Sequence, residues 1–366
     1  MPNDYHMIEY IHENPQALKN TLENNENTIQ NLVSNVREKH IQNIVITGVG
    51  SSYTAAIIAA PSFRIHCPLP THILPSTELG YYLPSIVDKY TLVISVSRSG
   101  ERGFVVDAFK AAQAKGAMGV AMTGFAESLL AQNAKIVLLT CEGPEITFAK
   151  TKSVIACAGL LIRLALALAK PDDKQASTRL KTLRSMPDII HKAIEVLEPE
   201  VRALMPVIQR HDIVLIGGTL SNYGTALEIA IKIPETSNIP TIAGDTGNIL
   251  HKPWGSITNK GLYICLVSSY DLALSKQTLQ LVGKYKAHRL CITEPGLNLE
   301  GLSDDRLTLP EPVDPAISGL VTLPPLQLLT YYWTIARGMN PDEPSEMREL
   351  LKAMLPPGRE EPELRA

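Results

Sequence analysis

The sequence predicts an α/β chain: two doubly wound, parallel-sheet domains in tandem behind a helical N-terminal segment. Three observations carry that expectation. Short apolar, β-branched runs alternate with helical patterns through most of the 366 residues. Three of those runs end directly in a Gly- or Ser-rich turn that opens a helix: QNIVITGVGSSY at 42–53, LVISVSRSGER at 92–102 and IVLIGGTLSNYGTALEIAIK at 213–232. The first and third of these strands start at Ile44 and Ile213, about 170 residues apart, which is the spacing of a duplicated domain.

Residues 1–29 form the helical entry, where 5–24 reads as helix and Pro15 marks a break or a new first turn. A first α/β domain over 30–170 has strand candidates at 43–47, 70–74, 91–96, 118–123 and 135–140. Its most apolar stretch, VIACAGLLIRLALALA at 154–169, is short and interrupted by Arg163, so it reads as a buried core helix rather than a membrane span. The polar run PDDKQASTRLKTLRSM at 171–186 reads as a linker into a helix over 187–209. A second α/β domain follows at 210–338, with strands near 213–216, 263–268, 288–292 and 306–309. The tail, 339–366, is rich in proline and charge.

Composition narrows the function. Hydrophobic residues make up 45% and charged residues 19%, with net charge −3, so there is apolar content for two cores. Nothing in that balance pulls the chain toward nucleic acid or an anionic membrane. The five cysteines (Cys67, Cys141, Cys157, Cys265, Cys291) are odd in number and mostly sit in apolar runs without metal-ligand spacing. They read as reduced core thiols of a cytoplasmic protein. The polar start MPNDYHMIEY is no signal peptide. No cofactor and no metal is expected.

A strand that ends in a Ser/Gly loop opening a helix is a cradle for an anion. Glycine allows close backbone approach, the helix start supplies N–H groups and partial positive charge, and hydroxyls add donors. Lacking the Lys-Ser/Thr of a Walker loop, the segment at 92–102 suits a sugar phosphate better than a nucleotide. Taken alone it is equally an ordinary turn capping a helix. Two such loops in one α/β unit, however, can converge at the carboxyl ends of neighbouring strands.

Six motifs then follow in order: GVGSSY, SRSGE, GPEITFAKTK, ALEIAIKIPE, GNILHKP and PLQLLTYYWTIARGMNPDEP. Together they resemble the tandem sugar-isomerase (SIS) domain family, in the pattern of the isomerase half of glucosamine-6-phosphate synthases, from Met7 to Lys352. The resemblance implies a phosphate cradle of Ser51 and Ser52 from the first loop and Ser97, Arg98 and Ser99 from the second. Arg102 stands where the family has threonine. It contacts phosphate, recognises an anionic group elsewhere on a larger substrate, or is a solvated helix-start arginine.

For the chemistry the resemblance implies Lys232, Glu235, His251 and Lys352. Moving a carbonyl between two sugar carbons needs a base that takes a proton beside the carbonyl and returns it one carbon away. Glu235, as a carboxylate of raised pKa in a partly dry cleft, fits that step. Opening the ring needs a group that titrates near neutrality, and His251 fits. A lysine stabilises the developing enolate or forms a Schiff base with a ketose. Lys352 takes the latter role by resemblance, although extra residues precede it and a solvated helical lysine is the competing reading. Glu145 is the next candidate base. Pro234 lacks an N–H, so the helix carrying Glu235 is expected to kink or end there. Around the histidine the order is Leu250-His251-Lys252-Pro253, which puts the cation after His251 where the family has it before.

The chain opens Met1-Pro2-Asn3 without room for the glutamine-hydrolysing domain of the synthases, so the reverse sense of the chemistry is expected. Four readings compete. They are isomerisation with deamination of a hexosamine 6-phosphate, cleavage of a fructosamine-type 6-phosphate by a deglycase, a plain aldose–ketose isomerase, and a non-catalytic phosphosugar sensor. Arg98, Arg102 and Lys252 would serve the carboxylate of an amino-acid adduct in the second. The resemblance also implies a homodimer with shared sites, in which His251 reaches the neighbouring subunit and apolar helices such as 154–169 form the interface.

Overall fold

In the computed structural model, which describes residues 5–251 and 258–343, the chain forms two compact units. Of the described residues, one comprises Gln16–Ile146 and Lys152–Ser185; the other comprises those up to Pro15, Thr147–Thr151 and 186–343. Three helices open the described chain: α1 (His6–His12), α2 (Asn14–Asn24) and α3 (Glu26–Glu38). The first sheet alternates strictly with helices: β1 (Asn43–Gly48), α4 (Ser51–His66), β2 (Thr71–Pro75), α5 (Ser76–Tyr82), β3 (Thr91–Val96), α6 (Gly103–Ala114), β4 (Met118–Thr123), α7 (Leu129–Gln132), β5 (Ile136–Leu139) and α8 (Lys152–Ala167). A 35-residue helix, α9 (Lys174–Ile208), follows. The second sheet repeats the pattern with β6 (Ile213–Gly218), α10 (Ser221–Ser237), β7 (Thr241–Asp245), a 3-10 turn (Asn248–His251), β8 (Gly261–Val267), α11 (Leu272–Lys284), β9 (His288–Thr293), β10 (Asp305–Thr308) and α12 (Gly319–Ala336).

Both sheets are wholly parallel and share one strand order. The first runs β2-β1-β3-β4-β5, and the second runs β7-β6-β8-β9-β10. Their central strands are continuous apolar runs because helices cover both faces. Every residue of β3 and of β8 is buried. Val45, Val93, Ala121 and Phe109 pack in one core, and Leu215, Tyr263, Cys265 and Leu279 in the other. In this order the chain reverses its winding between the first and third strands of each sheet. Ligands of such folds bind outside the carboxyl ends at that switch point. In the first sheet Thr47 of β1 stands opposite Ser95 of β3, so the loops after both strands leave side by side.

The two tandem parallel sheets are as the sequence predicts, and the structure corrects several details. The segment 174–185 is helix rather than linker: Asp173 caps it by accepting the Ala176 N–H at 2.9 Å and the His66 Nδ1 at 2.7 Å. Its polar composition is that of a solvated helix face. Strand β7 was not expected. Pro234 neither ends nor breaks α10, which runs to Ser237; the Asn238 N–H closes it on the Pro234 carbonyl at 3.2 Å. A proline so near a helix end forfeits one backbone bond in the final turns only. Helix α8 is buried from Lys152 to Leu166, which confirms a core helix. It therefore has no free face for a second copy, and the interface expected of 154–169 does not lie there. All five cysteines are free. Among the described residues no helix is long and apolar enough to cross a membrane.

Candidate functional site

At the first switch point, β1 ends in Gly48 and the chain turns through Gly50 into α4, whose first residues are Ser51 and Ser52, both half-buried. Gly50 has φ 55° and ψ −130°, a conformation that costs an L side chain dearly. The β3–α6 loop faces it along the neighbouring strand. Ser97 and Ser99 are buried to 6% and 9% exposure, and the loop is pinned on several sides. The Ser97 N–H donates to the Met122 carbonyl, the Gly124 N–H to the Arg98 carbonyl and the Leu130 N–H to the Gly100 carbonyl. Ser97 Oγ accepts the Gly100 N–H at 3.2 Å and Ser99 Oγ accepts the Glu101 N–H at 3.4 Å. A hydroxyl that accepts in this way still has its own proton to donate. Two helices start at these loops, α4 and α6, and their first-turn N–H groups favour an anion. Half-buried Arg102 sits at the N-cap of α6.

Arg98 stands beside two carboxylates. Its Nε stands 2.9 Å from Glu142 Oε1 and 3.6 Å from Glu145 Oε2. Glu145 itself caps α8: its two oxygens accept the backbone N–H groups of Lys152 at 3.0 Å and Ser153 at 3.3 Å. That is a structural task for the residue named as a reserve base. Nothing in the sequence reading singled out Glu142.

The second unit holds Lys232 and Glu235 together on α10. Lys232 is 2% exposed and its Nζ donates to Glu235 Oε2 at 2.6 Å. Glu228, fully buried one turn earlier, places Oε1 3.6 Å from the same ammonium. The sequence reading missed Glu228, although its i, i+4 spacing to Lys232 was there to be read. A buried ammonium between two carboxylates is held in one orientation by them. Glu235 keeps partial access, with 18% of its side chain exposed. His251 closes the 3-10 turn with its side chain exposed. Lys352 and Lys252 lie outside the described residues. The cradle and the Lys232–Glu235 pair belong to different units.

The second sheet has a switch point of its own, between β6 and β8, and it is filled from within. Asp271, 6% exposed, accepts the Ser268 N–H and Oγ–H at 3.0 and 2.8 Å on one oxygen. Its other oxygen accepts Thr246 Oγ1 at 3.1 Å and Ser275 Oγ at 3.2 Å. Glu294 takes the Ser269 N–H. The Ser221 N–H, at the start of α10, donates to the Pro315 carbonyl. Among the described residues no group of three or more His, Cys, Asp or Glu could hold a metal.

The SIS domain profile matches residues 37–167 and again 207–337, so the chain belongs to the SIS domain family and carries two copies in tandem. It is 28% identical over 358 residues to the glutamine–fructose-6-phosphate aminotransferase (isomerizing) of Caldanaerobacter subterraneus, covering 94% of this chain and 58% of that protein. The enzyme of the same name from Legionella pneumophila is 30% identical over 355 residues, with the same coverages of 94% and 58%. The chain thus spans a little under three fifths of the length of the curated relatives it matches. Among solved structures, the C-terminal domain of glucosamine-fructose-6-phosphate aminotransferase from Francisella tularensis superposes with a TM-score of 0.85 at 22% identity, covering 94% of this chain and 99% of that one. Glucosamine-6-phosphate deaminase from Thermotoga maritima does so with a TM-score of 0.75 at 22% identity, covering 93% and 97%. These two likenesses establish the fold. The resemblance read from the six motifs holds along the chain.

Proposed function

We propose that the protein is a cytoplasmic phosphosugar enzyme that isomerises and deaminates a hexosamine 6-phosphate. The Lys232–Glu235 pair carries this reading, because a partly accessible carboxylate hydrogen-bonded to a buried ammonium suits proton transfer at a carbon beside a carbonyl. The phosphate is held by Ser51, Ser52, Ser97 and Ser99. Glu235 takes the proton from C2 of the open-chain sugar and returns it to C1, while Lys232 supports the charge that develops between them. The resulting C2 imine is hydrolysed by water, giving the ketose phosphate and ammonia. His251 assists ring opening, in a homodimer that shares it between copies. Known relatives named for fructose-6-phosphate amination and for glucosamine-6-phosphate deamination support the substrate class.

The deglycase reading asked for three cations near the substrate. The ion pair of Arg98 with Glu142 supports the hexosamine reading over the deglycase, because it occupies one of those cations. An ammonia-release assay over a panel of hexosamine 6-phosphates and fructosamine 6-phosphates tests this. Release of ammonia from a hexosamine 6-phosphate is expected. Release of a larger amine alone would establish the deglycase, and release of none would return the chain to plain isomerase or sensor.

A further inference from the structure

The cation in the β3–α6 loop has a dedicated partner. Arg98 is 9% exposed and Glu142 5%, and the two meet at 2.9 Å. The Arg98 backbone is fixed independently, since its carbonyl accepts Thr123 Oγ1 and the Gly124 N–H, each at 2.9 Å. Gly124 is what admits the carboxylate: a Cβ there would lie 2.8 Å from Glu142 Oε1. Glu145 also approaches the guanidinium, but both of its oxygens serve the α8 start. Burial pushes the Glu142 carboxyl up, and the Arg98 charge works against that rise. Two buried opposite charges in contact cancel most of each other's field, whereas either one alone would impose its full charge on the loop.

We propose that Glu142 is a positioning residue of the cradle. It holds the Arg98 guanidinium against the β5–α8 loop, so that a ligand's phosphate is bound by the hydroxyls of Ser97, Ser99, Ser51 and Ser52, not by arginine charge. This rests on the reading of that loop as the phosphate site. It turns an arginine embedded in the motif from a ligand into part of the frame.

A double-mutant cycle separates the two roles. Fructose 6-phosphate binding is measured by titration calorimetry on the full-length wild type, Arg98→Gln, Glu142→Gln and the double variant, with thermal melting of each. Arg98→Gln alone leaves a buried carboxylate facing the loop and is expected to weaken binding by about tenfold or more. Adding Glu142→Gln removes that carboxylate and should restore affinity to within about twofold of wild type, the usual additivity error. An equal loss from Arg98→Gln in both backgrounds would make Arg98 a direct ligand and overturn the proposal while leaving the cradle reading intact. Wild-type protein that binds no fructose 6-phosphate would overturn both. Should a single variant fail to fold, the neutral double variant decides alone: affinity near wild type supports the proposal, and lost affinity overturns it.

Discussion

The first sheet's switch point presents Ser52, Ser97 and Ser99 beside two helix starts, while the second sheet's switch point has taken in anions from its own chain. Asp271 absorbs four donors there, Glu294 a fifth, and the Pro315 carbonyl covers the start of α10. Strand order and the starts of α4 and α10 are alike, so what separates the two switch points is a few acceptors: Asp271 in the turn after β8, Glu294 after β9 and the Pro315 carbonyl ahead of α12. The backbones remain near-copies. Leu220 precedes α10 with φ 53° and ψ −123°, almost the angles of Gly50 before α4. The second turn has kept a glycine's conformation with a leucine in it.

A division of labour follows from this contrast, and it can be broken. If the second sheet's unit contributes chemistry through α10 rather than phosphate binding, Glu235→Gln should lower kcat by about 10²–10⁴-fold with ligand affinity retained. Ser99→Ala should act the other way and raise KM mainly, because phosphate contacts are remote binding energy. Steady-state kinetics on the two variants checks both. A Glu235→Gln enzyme with wild-type kcat would move the base elsewhere.

The next largest effect concerns the filled site. Asp271→Ala removes the acceptor for four buried donors and should destabilise the protein by at least about 2 kcal/mol in denaturant unfolding. It also empties a ready anion site, so phosphate should raise the melting temperature of this variant more than that of the wild type. Equal phosphate shifts would mean that the two switch points differ by more than the carboxylate.

The smallest effect isolates the inherited turn. Leu220→Gly should be more stable than Leu220→Ala by about 1 kcal/mol, since both lose the same side chain and only glycine relieves the positive φ. Equal unfolding midpoints for the two would show that the turn is unstrained.

How much of this the sequence revealed depends on whether apolar pattern or partner choice decides the feature. Strands β1, β3, β6 and β8 are buried on both faces, so their runs were legible, as was the helix α8. Strand β7 lies at the sheet edge with only Gly244 buried, and its TIAGD reads as a turn. The start of α9 shows mostly charge and hydroxyl to solvent, which imitates a linker. The two cradle loops were legible because glycine and serine mark them locally. Glu142 and Asp271 were not, because nothing in a one-dimensional pattern says which carboxylate a buried Arg98 or Ser268 will meet; Glu228 differs, since its i, i+4 spacing to Lys232 is a local signal.

On this reading the duplicated fold keeps one working phosphate site, at the first switch point. A crystal structure grown with fructose 6-phosphate tests it most directly. One phosphate per chain is expected, within hydrogen-bond distance of Ser52, Ser97 and Ser99, with Asp271 still bonded to Ser268. A phosphate at Ser268 and Ser269 with Asp271 displaced, or a sugar phosphate bound away from both loops, would contradict it.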